Sequence, residues 1–170
     1  MNIPEIGKLA PHAKIPGWLT SQPVAVPYFD GLRLTITLDG LEQADEADAA
    51  FTIHSFLRLG RADRVAASRY VFQNYRQMAD AVDEDDFGCQ IKSDADVWEH
   101  VHPSEIFVSR RPRRDQSIYV TITAECDWER EHGLQIIYRR GCELSRVSDQ
   151  DGHLTHTDAY DLPEEEDRIA

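Results

Sequence analysis

Ten consecutive residues, Cys126-Asp127-Trp128-Glu129-Arg130-Glu131-His132-Gly133-Leu134-Gln135, hold the densest group of chemically active side chains in this sequence. Asp127, Glu129 and Glu131 bring carboxylates, His132 an imidazole and Cys126 a thiol. An imidazole oriented by a neighbouring acid can serve as a general base. The same donor types suit several divalent cations. His132 is therefore the candidate base or ligand, with Asp127, Glu129 or Glu131 as its partner. Against chemistry stands the absence of a His-x-x-x-His pair, and alternation along a strand would scatter adjacent side chains. The favoured reading is a hairpin: Trp128 covers the open end of a core, Asp127 and Glu129 cap loose amides, and Gly133 permits a positive φ.

A second polar stretch runs from Ser148 to Asp158. Asp149-x-Asp151-Gly152 is similar to the centre of a calcium loop, but Val147 occupies the first ligand position and Asp158 stands where a bidentate Glu belongs. A polar turn is the expectation. His153 and His156 would reach His132 if the last strand returned beside the hairpin base, so His153 joins the candidate catalytic set. Cys126 falls on the core face of its strand and reads as an inert buried thiol. His54 reads as a core histidine on its helix, and His100 and His102 as structural residues near a helix end. Arg110-Arg111-Pro112-Arg113-Arg114 reads as a solvated turn balancing nearby acids. No phosphate-cradling loop, nucleophile elbow or dinucleotide fingerprint occurs, so no cofactor is assigned, no metal is assigned, and an enzyme is not favoured.

These groups need elements to position them. Residues 1–30 contain Pro4, Pro11, Pro16, Pro23 and Pro27, and read as an extended arm with edge-strand pieces such as Val24-Ala25-Val26. Leu32, Leu34, Ile36 and Leu38 alternate with polar residues, which predicts a half-buried strand. Ala47, Ala50, Phe51, His54 and Leu57 recur at helical spacing, with Asp45, Glu46 and Asp48 in the first turns and Gly60 at the end. A second helix is predicted over 62–82, with Val65, Ser68, Phe72, Tyr75 and Ala79 on one stripe. An acidic loop follows over 83–96, then a short helix over 96–101 ending at His102-Pro103, and a strand at Ile106-Phe107-Val108. Ile118, Val120, Ile122, Ala124 and Cys126 alternate against Tyr119, Thr121, Thr123, Glu125 and Asp127, the clearest strand in the chain. Leu134, Ile136 and Tyr138 form another, and after the Arg140-Gly141 turn a third covers 142–147. Strands, helices, then strands predict an α+β fold: a mainly antiparallel sheet with a helical hairpin on one face and a C-terminal three-strand meander. One domain over 1–170 is expected, with an acidic tail over 161–170 that frays.

Composition narrows the function. A net charge of −13, from 31 acidic and 18 basic residues, repels phosphate backbones and anionic lipid surfaces while steering cationic partners inward. Nucleic acid and membrane are therefore not expected partners. Cys89, Cys126 and Cys142 have no Cys-x-x-Cys spacing, which suits reduced thiols in a cytoplasm better than a disulfide framework. The first residues lack a basic region followed by an apolar core, so no secretory leader is expected.

Four blocks carry a resemblance. They are Trp18-Leu19 before Pro23-Val24-x-Val26-Pro27, the Cys126 to Gln135 stretch, Gly141, and Asp151-Gly152-His153-Leu154-Thr155. Together they resemble a family of uncharacterised bacterial proteins, a domain of unknown function similar to immunity-type and accessory proteins. The resemblance spans most of the chain, is most specific at the second block, and implies a shared fold without catalytic residues. The expectation is thus a small acidic protein that binds another macromolecule, with a basic protein as partner and an immunity-like role as its specific form. The alternative is a metal-binding protein or hydrolase-like enzyme centred on Asp127, Glu129, Glu131, His132 and His153.

Overall fold

A computed structural model describes residues 1–81 and 89–169. The acidic run Asp83 to Gly88, read above as loop, lies outside the described residues. Two short strands come first, β1 (Ala10–Pro11) and β2 (Leu19–Thr20). β3 (Val24–Val26) and β4 (Leu32–Leu34) pair antiparallel as a separate ribbon. β5 (Ile36–Asp39) leads into α1 (Glu46–Leu57) and α2 (Arg61–Ala81). Then come β6 (Val101–Arg110), β7 (Ile118–Cys126), β8 (Glu129–Arg139), β9 (Glu143–Asp149) and α3 (His156–Tyr160).

The main sheet has seven strands in the order β1-β2-β5-β6-β7-β8-β9. All neighbours are antiparallel except β5 and β6, which run parallel. Parallel neighbours need a long crossover, and α1 with α2 supplies it. The fold is α+β, and β7, β8 and β9 form the C-terminal meander. On the helix-facing side, alternate residues of β7 from Ile118 to Cys126 are buried with Leu134, Ile136, Tyr138 and Val147. Tyr28 centres an aromatic cluster there, and its hydroxyl accepts a 3.0 Å hydrogen bond from Tyr138.

The inward stripe of each helix differs from the predicted one. α1 buries Ala49, Thr52, Ile53 and Phe56, leaving Phe51 56% exposed. His54 is not a core histidine: it lies on the outer face, 3.1 Å from Glu5. α2 buries Ala67, Ser68, Val71, Asn74 and Tyr75, while Val65 points outward. Both stripes of α1 satisfy helical spacing. The observed one carries Ile53 and Phe56, and it is the face that the Gly141 turn meets at Thr52 and Phe56. The 96–101 segment is a 3-10 turn over Val97–His100, and His102 and Pro103 stand inside β6 instead of ending a helix. Pro103 borders a register shift, where its missing N–H breaks no regular ladder.

The opposite face of the sheet buries Tyr119, Ile137, Gln135 and Arg146 beneath the chain that follows β9. Gln135 Nε2 donates to Asp151 Oδ1 (2.8 Å) and to the His153 carbonyl (3.3 Å). The acidic tail makes contacts with the rest of the chain: Glu164 is 2.7 Å from Arg111, and the Thr157 N–H donates to Asp167. Arg111 corrects the solvated-turn reading, because only 1% of its side chain is exposed. It forks onto both oxygens of Asp158 at 2.8 Å each.

Candidate functional site

The active-looking stretch is the β7–β8 hairpin. Cys126 pairs with Glu129 and Ala124 with Leu134, so the intervening residues Arg130 to Gly133 bulge out against Glu125. A positive φ of 70° lets Gly133 close this bulge, and any Cβ there would lie 2.7 Å from the Ala124 carbonyl oxygen. Trp128, 5% exposed, covers the core end. Its indole N–H donates to Asn74 (2.9 Å), and its ring meets Tyr75 edge-on.

Glu129 is buried beneath the bulge. It accepts the backbone N–H of Glu131 (3.0 Å) and of His132 (2.7 Å). Burial alone would raise its pKa. The amides of Glu131 and His132, then the His132 charge, outweigh burial and hold the carboxyl below its ordinary value. Both oxygens are thus committed to fastening the loop. We predict that Glu129→Ala lowers unfolding free energy by about 1–3 kcal/mol, because it leaves amides without acceptors. Urea denaturation would measure it, and an unchanged midpoint would contradict the latch.

Asp127 is held differently. His100 Nδ1 donates to Oδ2 and His102 Nε2 donates to Oδ1, each at 2.9 Å. These bonds, His102 first, are the main cause of its lowered pKa. The β6–β7 register explains the meeting: Val101 pairs with Cys126, the last residue of β7, which sets both histidines around Asp127 just beyond it. Sequence reasoning took His100 and His102 as isolated structural residues. The spacing His100-x-His102 at a strand start was the available signal, and only the register turns it into a clamp.

His132 side chain is 65% exposed, with Nδ1 3.5 Å from Glu129. Glu125, Asp127, Glu131 and His132 share a hollow of about 540 Å³ with His102 and Ser104. His153 is not among them. It lines a separate hollow beside Arg110 and Arg113, and His156 lines a third cavity against α2 and β9. The three histidines therefore do not converge. Asp149, Asp151 and Asp158 likewise part: Asn74 binds the first, Arg146 the second and Arg111 the third. Among the described residues, no three His, Cys, Asp or Glu side chains form a group able to hold a metal ion. Burial pushes the Cys126 thiol up to about 11, which leaves it protonated at neutral pH. No helix among the described residues is long and apolar enough to cross a membrane.

A mostly antiparallel sheet with α1 and α2 packed on one face, and a latched hairpin between β7 and β8, define the class as an α+β domain. The chain belongs to the family described as Domain of unknown function (DUF6985), whose model matches residues 5–154. That match takes in the hairpin and all nine of the described strands and stops before α3. No curated protein and no solved structure matches the chain.

Proposed function

We propose that this protein acts by binding a basic polypeptide at the hairpin hollow. The observation that supports this most is the pair Glu125 and Glu131. Both are exposed there, and neither side chain has an ion-pair partner among the described residues. β7 carries Glu125 and the latched loop carries Glu131, and the −13 net charge draws a cationic partner toward them. An immunity-type role, masking a basic surface of a toxin in a bacterial cytoplasm, is the specific form of this reading. It rests on the sequence resemblance and on three unpaired cysteines, which suit a reducing compartment.

The test begins with capture of a partner by the full chain, followed by association rates over a salt series. Glu125→Gln with Glu131→Gln is expected to slow association about tenfold at low salt and to flatten the salt dependence. A partner indifferent to salt and to both substitutions would refute the reading. So would self-association alone. Protein purified without chelator gives a further check. Stoichiometric zinc, manganese or iron that disappears on His132→Ala would favour the metal-centred alternative instead.

A further inference from the structure

The two edges of the main sheet are finished differently. The β1 edge is two residues long and includes Pro11, which has no N–H to offer. Short strands and proline are common means of blunting an edge. β9 at the other edge has seven residues and no proline, its ladder with β8 is irregular at Ser145 but regular from Arg146 to Asp149, and it pairs with β8 alone among the described strands. Arg146, Val147, Ser148 and Asp149 all line one cavity of about 950 Å³. Successive strand residues point to opposite faces, so four in a row can line one cavity only if it runs along the edge. Gln73 and Gln77 of α2 wall it on one side, and His156 and Tyr160 of α3 on the other.

His156 gives this groove an independent mark. It is only 7% exposed and lies tilted at 46° against Tyr160, 4.7 Å between centroids. Neither ring nitrogen has a hydrogen-bond partner among the described residues, although the side chain lines the cavity. Burial first, then the charges of Arg168 and Arg146, keep its pKa below the ordinary histidine value. It is therefore a neutral imidazole offering one donor and one acceptor. Charge is also unspent at the two ends. Asp149 has only the Asn74 amide, at 3.2 Å, and Arg168, toward the Glu143 end, has no carboxylate partner among the described residues.

We propose that the β9 edge receives an extended segment of a partner polypeptide, which adds an eighth strand to the sheet. Alternating N–H and C=O groups along an edge match an extended backbone and little else. The segment carries a basic residue beside Asp149, an acidic one beside Arg168, and a flat or apolar side chain against His156 and Tyr160. A second copy of this chain fits poorly, because its own α2 and α3 walls would meet these. The site is separate from the hairpin hollow.

A random heptapeptide library selected against the full chain supplies probes, whose affinities are then measured by fluorescence polarisation. Backbone N-methylation of a selected peptide is expected to weaken binding at least about tenfold at every second position and little between them. His156→Phe, which keeps an aromatic ring against Tyr160, is expected to weaken it by a similar factor. Absence of selected binders, a methylation scan without period two, or indifference to both His156→Phe and Asp149→Asn would overturn the proposal. Sedimentation showing a dimer that competes with the peptide would assign the edge to a second copy and overturn it equally.

Discussion

Arg111→Ala is expected to lower the unfolding free energy by about 2–4 kcal/mol, the scale of breaking a buried charge pair, reduced because its carboxylate partners are partly hydrated. Arg111 is 1% exposed, whereas Asp158 and Glu164 are 23% and 49% exposed. Besides forking onto Asp158, the guanidinium donates to Glu164 at 2.7 Å and to Thr155 at 3.0 Å. Thr155 in turn caps α3 through the Asp158 N–H, so one cation organises the helix, its cap and the tail. Arg111→Lys keeps the charge but not the planar fork, and about half of the loss is expected to remain.

The pH dependence separates this account from simple loss of packing. Hydrogen bonding from Arg111 is the first cause of Glu164's lowered pKa. For Asp158, burial acts upward, but Arg111 outweighs it and the pKa also falls. Carboxyls depressed in the folded state contribute stability that is complete above their unfolded pKa, about 4. The contribution disappears as pH falls through the lower folded values. Wild type and Arg111→Ala should therefore converge in stability below about pH 4. A deficit as large at pH 2.5 as at pH 7, in urea melts, would refute the electrostatic explanation.

Gly141→Ala is the second large effect, expected at about 2–5 kcal/mol from a strained φ and forced overpacking together. Gly141 has φ +78° in the β8–β9 turn, and an added Cβ would sit 2.0 Å from the Thr52 carbonyl oxygen and 3.0 Å from the Phe56 nitrogen. Those are backbone atoms of α1, so no side chain can swing aside. The helix itself must retreat from the sheet. Gly152→Ala is the control: its φ is +79°, but nothing lies within 4 Å of the new Cβ. It should cost only the backbone strain, about 1–2 kcal/mol. Equal thermal shifts for the two variants would show that the turn does not press on α1.

Gly141 also shows why the helix faces were not legible. Spacing in α1 fits both the stripe through Phe51 and His54 and the one through Thr52 and Phe56. Contact with a turn almost ninety residues later selects the second. β7 needed no such contact to be read, because its alternation from Ile118 to Cys126 already names a buried and a less buried face. The hairpin was legible for the same local reason. Glu129 reaches amides only two and three residues away, and Trp128 follows directly from the strand that it caps.

Sequence by itself determined the two long helices, the C-terminal strands, the α+β class and the hairpin at Asp127-Trp128, since each depends on periodicity or on neighbours a few residues apart. It did not determine that Leu32 to Leu38 splits between two sheets or that His102 and Pro103 enter β6. It left open which charges meet. Arg111 looks like part of a solvated turn until Asp158 and Glu164 arrive from 47 and 53 residues away. Asp127 looks like half of a catalytic pair with His132 until the β6–β7 register brings His100 and His102 to it, 27 and 25 residues away. Only the tertiary structure decides such meetings, because a side chain's own position reports its face of a helix or strand, never the distant group waiting opposite.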